Sequence, residues 1–211
     1  MLELYLIRHG QTDLSRENRF SGSIDPPLNA VGVRMADAFG AAYADRRWDA
    51  IVSSPSRRAL DTGNALAGRV GIEMRIEPGL REIAYGEWES MRHSEARERW
   101  PEAYAWWAED TASRSTPGGE TAFDVAARAA PVIERIRADH TEGRVLVVSH
   151  KATIRILVCA LLGLDVRMFR IRIGQPVAAV TRFDIGPGGA KLVALGDVGH
   201  LPPDLRNIEG T

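Results

Sequence analysis

Three residues near the start of the chain, Arg8-His9-Gly10, could attack and hold a phosphoryl group. They lie where an apolar run, residues 2–7, ends, so a strand would deliver the imidazole at its tip. The arginine fork can grip phosphate oxygens in a bidentate fashion, and a glycine lets backbone approach an anion closely. Alone the triplet is a weak signal, but three later segments add to it. Ser53-Ser54-Pro55-Ser56-Arg57-Arg58 passes from a strand end into a helix start, whose free amides and dipole favour an anion. Leu80-Arg81-Glu82-Ile83-Ala84-Tyr85-Gly86-Glu87-Trp88-Glu89 sets acidic groups among apolar residues, and Val148-Ser149-His150 is a further strand end bearing histidine.

Such groups need elements to bring them together. Residues 2–8, 50–53, 74–77 and 145–149 read as strands. Helices are expected over 29–46, capped by Asn29 with Val33, Ala36 and Phe39 on one side, and over 56–70, 120–140 and 152–162. The stretch 90–110 is polar and helical and carries Trp100, Tyr104, Trp106 and Trp107. Residues 177–185 and 190–195 flank Gly186-Pro187-Gly188-Gly189, which reads as a hairpin turn. Strands alternating with helices give an α/β fold: a mostly parallel central sheet with helices on both faces and an antiparallel hairpin near the C-terminus. The whole of 1–211 is expected to be one domain with a helical cap-like segment at about 90–117. Ligands of open sheets bind beyond the carboxyl ends of the strands, and Arg8-His9, Ser53-Ser54 and Ser149-His150 all fall at such ends.

Composition narrows the class. A hydrophobic share of 45%, a charged share of 26% and a net charge of −1 fit an ordinary globular chain. That balance argues against general affinity for nucleic acid or an anionic membrane. Lys151 and Lys191 are the only lysines, so almost all positive charge is arginine. Cys159, the sole cysteine, lies in an apolar stretch and reads as a buried thiol of a reducing compartment. No secretory pattern opens the chain and no apolar run is long enough to span a bilayer, so a cytoplasmic location is expected. His93, His140 and His200 show no ligand spacing with Asp, Glu or Cys; no metal site is assigned, and all three read as solvent-exposed.

The four segments, in this order and covering residues 2 to about 200, resemble the histidine phosphatase superfamily, which also holds the cofactor-dependent phosphoglycerate mutases. The resemblance implies that His9 is the nucleophile and forms a phosphohistidine. Arg8 and Arg58 would bind the phosphate, His150 would complete the cage, and Glu82 would donate the proton. Spacing from Ser53-Ser54-Pro55 favours Arg58 over Arg57, and the family pattern puts the acid before Tyr85-Gly86, ahead of Glu87 and Glu89. Ser21, Gly22, Tyr85 and Lys151 are expected around the substrate. The roles suit the chemistry, because phosphoryl transfer asks a protein mainly to position groups and stabilise oxygen charge. Nearby guanidinium groups would keep His9 neutral, as a nucleophile must be.

Three positions depart from the family pattern. Lys151 follows the second histidine where glycine is usual; its ammonium would join the cage or point to solvent. Ser15 stands where mutases carry asparagine, and Ser90 replaces a glycine. The stretch 90–115 is shorter than the mutase insert and lacks an adjacent arginine pair. The layout looks more like the shorter broad-specificity phosphatase members. The expected activity is hydrolysis of small phosphomonoesters, with no cofactor, a small phosphorylated metabolite as partner, and a homodimer open through an edge strand. Alternatives are a cofactor-dependent mutase and a non-catalytic phospho-ligand binder. The tryptophans around 100–107 either roof the pocket or pack as a helix face, which their spacing favours.

Overall fold

Alternation along the first strand sorts its side chains into two cores. In β1 (Leu2–Arg8), Leu2, Leu4 and Leu6 join one apolar cluster while Tyr5 and Ile7 join another, the two-residue period of a pleated strand. The computed structural model describes residues 1–208, so the last three residues of the expected domain lie outside the described residues. After β1 come α1 (Asp13–Arg16), α2 (Ala30–Tyr43), β2 (Ala50–Ser53), α3 (Arg57–Val70), β3 (Met74–Ile76), α4 (His93–Arg99) and α5 (Pro101–Glu109). Then follow α6 (Ala122–Asp139), β4 (Gly143–Ser149), α7 (Lys151–Leu162), α8 (Phe169–Arg172), β5 (Val180–Gly186) and β6 (Gly189–Asp197).

The strands form one sheet in the order β3-β2-β4-β1-β5-β6. β3, β2, β4 and β1 run parallel, and β5 is antiparallel to both β1 and β6. Ile133 of α6 and Leu157 of α7 cover one face against Leu4 and Val147. Phe39 of α2 and Leu66 of α3 cover the other against Ile7 and Leu146. Each fully buried leucine contributes about 1.5–3 kcal/mol, so the two clusters fix the sheet between its helices. No helix among the described residues is long and apolar enough to cross a membrane.

Local chemistry sets the boundaries. Asn29 caps α2 by accepting from the Gly32 amide, and the helix stops at Tyr43, three residues short of the sequence expectation. Its buried side carries Met35, Ala36 and Phe39, while Val33 is exposed. The expected helix at 90–110 is two helices, because Pro101 opens α5 and has no N–H with which to continue α4. Ser90 takes φ 68° in the left-handed region, which is why glycine is at home there and serine carries strain. α1 and α8 are single turns too short to leave a periodic signature.

Candidate active site

Strand register does the first part of the assembly. Arg8 pairs with Ser149 across β1 and β4, and Ser53 pairs with Val148 across β2 and β4. The next residues, His9, Ser54 and His150, therefore leave the sheet side by side. The His9 and His150 rings lie 5.2 Å apart, centroid to centroid.

His9 is buried, with Nδ1 2.8 Å from the Gly10 carbonyl. A carbonyl only accepts, so Nδ1 carries the proton and Nε2 keeps its lone pair. Burial first, then the Arg58 and Arg8 guanidinium groups, hold the imidazole well below the usual histidine range. It is a neutral nucleophile with a fixed tautomer. Gly10 serves another purpose than the one its sequence suggests. A Cβ there would lie 2.5 Å from the Gly32 carbonyl of α2, so this glycine is needed for helix packing.

Arg8 Nη1 donates to the Gln175 carbonyl at 2.9 Å. Burial pushes its guanidinium down to about 9, still cationic at neutral pH. Arg58 is fully buried; Nη1 donates to the Ile24 carbonyl at 2.8 Å and Nη2 to the Gly22 carbonyl at 3.1 Å. Arg57 is exposed and lies 3.6 Å from Asp61. His150 caps α7, with Nε2 2.8 Å from the Ser54 hydroxyl, and burial with Arg58 and His9 nearby keeps it neutral too. Among the described residues, the buried Arg8 Nε, Arg58 Nε and His150 Nδ1 have no hydrogen-bond partner. Buried polar atoms are normally paired; Arg8 lines the cavity beside His9, while Arg58 and His150 are fully buried next to it and do not line it.

Glu82 comes from the irregular segment after β3. Its Oε1 accepts from the amides of Ile83 (2.9 Å) and Thr153 (3.1 Å), and Oε2 from the Ala152 amide (3.0 Å). The start of α7 thus grips the carboxyl. Arg128 of α6 donates to the Arg81 and Glu82 carbonyls and pairs with Glu120, fixing the segment from behind. Neither Arg128 nor Thr153 has a sequence signal that announces this positioning role. Glu89, a rival acid by sequence, accepts the amides of Gly22, Ser23 and Tyr85 and ties two loops together. Glu87 is exposed.

A cavity of about 320 Å³ opens over His9, lined also by Arg8, Glu82, Ser21, Tyr85 and Lys151. Gly22 does not line it: its amide is committed to Glu89 and its carbonyl to Arg58, which corrects its expected place against the substrate. Burial and Glu82 push the Tyr85 phenol up, so it stays neutral. Ser15 reaches the cavity wall, but its hydroxyl is engaged with Thr12 in the cap of α1. Thr12, Arg19, Phe20, Arg155, Phe169 and Arg170 also line the cavity without having been singled out by sequence.

Three histidines read as solvent-exposed are corrected. His93 is not exposed; it lines the cavity, sits 4.2 Å from the Phe20 ring and pairs with the Tyr104 hydroxyl at 3.0 Å. Burial, with Arg170 and Lys151 nearby, takes it down to about 4. His200 is half-buried against Phe39 and Tyr43, each 5.7 Å away, and is also pushed to about 4 by burial. His140 is half-buried at the C-terminal cap of α6. The tryptophans split: Trp107 is buried and lines the cavity, whereas Trp106 is 52% exposed and lies outside it. Among the described residues, no group of three or more His, Cys, Asp or Glu is placed to hold a metal ion.

Lys151 turns into the cavity rather than to solvent. Burial, with Arg8 and Arg155 nearby, lowers its ammonium to about 7. Its charge is therefore present below that pH and lost above it. Between about pH 7 and 9 a phosphomonoester stays a dianion, so loss of the cation should lower kcat/KM by about tenfold, the worth of one charged hydrogen bond. Lys151→Arg, which keeps its charge, should flatten that limb in a pH–rate profile. An equal decline in both proteins would remove Lys151 from substrate binding.

The family model described as "Histidine phosphatase superfamily (branch 1)" matches residues 4–198. A bifunctional protein of Mycobacterium tuberculosis is 36% identical over 203 residues, covering 94% of this chain and 54% of that protein. The chain thus spans about half the length of the first curated relatives it matches. A glucosyl-3-phosphoglycerate phosphatase of Mycolicibacterium vanbaalenii is 36% identical over 199 residues, with 88% of each chain covered. The solved structure of Bacillus stearothermophilus YhfR superposes with a TM-score of 0.88 at 30% identity, covering 96% of this chain and 100% of that one.

Proposed function

The chain belongs to the histidine phosphatase superfamily, and from that premise we propose that it hydrolyses small phosphomonoesters through a phosphohistidine on His9. The observation that carries this reading is His9 itself: Nδ1 is tied to the Gly10 carbonyl, the Arg58 and Arg8 guanidinium charges act on its ring, and the His150 ring lies 5.2 Å away. Nε2 attacks phosphorus as the ester P–O bond breaks. Glu82 is the group that hands a proton to the departing alkoxide. In the second half Glu82 takes a proton from water, whose oxygen attacks phosphorus and breaks the N–P bond. Inorganic phosphate and free His9 result. Arg8 and Arg58 stabilise the equatorial oxygens throughout, the main service a protein gives to phosphoryl transfer.

The relatives named as phosphatases support this class of reaction. The helices α4 and α5 are read as a cap over the cavity, since His93 and Trp107 reach its wall from them. A cytoplasmic location fits Cys159, a buried free thiol. β6 is an edge of the sheet and is the strand through which a homodimer would pair. The direct test is phosphate release from a panel of phosphorylated metabolites, with and without 2,3-bisphosphoglycerate. Release independent of the bisphosphate is expected. Bisphosphate-dependent isomerisation faster than hydrolysis would make the protein a mutase, and tight phosphate binding without turnover would make it a binding protein.

A further inference from the structure

The cavity carries more positive charge than one phosphoryl group needs. Arg8 lines it beside His9, and the fully buried Arg58, which does not line it, still acts on His9 with its charge. On the α7 side stand Lys151 and Arg155, four residues apart and hence on one helix face. α8 adds Arg170 at the exposed rim. Several arginines of the chain are paired with carboxylates, Arg128 with Glu120 and Arg144 with Glu3 among them. Among the described residues no carboxylate pairs with Lys151, Arg155 or Arg170, and Arg155 Nε is buried without a hydrogen-bond partner. Glu82 shares the cavity, but both its oxygens are held by backbone amides.

The cluster is also held in place. The Arg170 guanidinium lies 4.7 Å from the Trp107 ring centroid, a contact that orients its plane. Burial lowers the Arg155 guanidinium first, and the nearby Arg170 charge lowers it further. Glu82 offsets part of the charge on Lys151 and Arg155, and an anion brought from outside would balance the rest.

We propose that Lys151, Arg155 and Arg170 form a second anion subsite, so that the preferred substrate is a phosphomonoester bearing a further anionic group. The proposal rests on the phosphatase reading for the word substrate, while the subsite itself does not need turnover. Guanidinium forks suit a carboxylate or a second phosphate equally, and the choice between them is read from two pairs of probes. The aromatic wall of Phe20, His93 and Trp107 would face the carbon skeleton between the two charges.

The test measures equilibrium binding by calorimetry on His9→Ala protein. The first pair is 3-phosphoglycerate against glycerol 3-phosphate, which differ by carboxylate in place of CH2OH. The second is fructose 1,6-bisphosphate against fructose 6-phosphate. At least one doubly anionic probe should bind about tenfold more tightly than its partner. In Arg155→Met/Arg170→Met that ratio should fall to about two, and Arg155→Lys/Arg170→Lys should restore part of it. Should the double methionine variant fail to fold, Arg170→Met alone, at an exposed position, still reads the ratio. A ratio below about threefold for both pairs, or one unmoved by the substitutions, overturns the subsite. Unmutated protein that releases no phosphate from any ester while the variants keep these ratios would instead overturn the phosphatase reading and leave the subsite standing.

Discussion

His9→Ala protein is expected to lose phosphomonoester turnover by about 10⁴-fold or more, because the covalent intermediate forms on His9 and the other imidazole lining the cavity, His93, is engaged with the Tyr104 hydroxyl. His150 is the nearest imidazole, but its Nε2 is bonded to the Ser54 hydroxyl. Its ring is fully buried, beside rather than on the cavity wall. Wild-type protein quenched during turnover of a labelled ester should carry acid-labile phosphate, and the variant should carry none. The fold should persist, since His9 gives up one hydrogen bond to Gly10 and one ring contact, a loss of about 1 kcal/mol. Acid stability should even improve in relative terms. A histidine lowered by burial takes up its proton more readily when unfolded, so its folded state loses stability as pH falls below about 6.5. The alanine protein is spared that loss, and its Tm should drop less between about pH 7 and 5. Turnover retained above about one per cent, or label still bound to the variant, would move the nucleophile elsewhere.

How much of this was visible before the fold was known follows from the reach of each signal. Strand ends are local features, and an apolar run that stops at a polar pair fixes both the strand and the residue it delivers; hence Arg8-His9 and Ser149-His150 were legible. Arg58 followed from its distance along a helix start. The two glycines were misjudged because their neighbours are remote in sequence: Gly32 presses on Gly10, and Glu89 takes the Gly22 amide. His93 and His200 look solvent-facing in a polar context, yet one is drawn into an aromatic cluster with Phe20 and Tyr104 and the other against Phe39 and Tyr43. The cationic wall was hidden for the same reason. Arg155 has the spacing to join Lys151, but Arg170 arrives only because a one-turn helix packs back on α7. Trp106 and Trp107, adjacent in sequence, point to opposite fates, a distinction the helix makes only once its buried side is known.

Glu82→Gln should separate the two halves of the reaction. The general-acid contribution is typically about 10²–10⁴-fold and matters most when the leaving oxygen is a poor one. Phosphorylation of His9 by an alkyl phosphate should therefore slow by that range, whereas a nitrophenyl ester, whose phenolate leaves without a proton, should phosphorylate His9 almost normally. Water attack on the N–P bond then lacks its base in either case. The variant should release a burst of nitrophenol close to one equivalent per chain and accumulate labelled phosphohistidine, with no burst of alcohol from an alkyl ester. The substitution also disturbs structure. Glutamine presents an NH2 to the amides of Ile83, Ala152 and Thr153, which donate to both carboxyl oxygens, and an unsatisfied buried donor costs about 1–3 kcal/mol. A fall in Tm will accompany the kinetic change, but lost stability slows both esters alike and cannot produce a burst from one alone. Equal loss on the two esters without a burst would assign Glu82 to holding the start of α7, and the proton would have to come from another group.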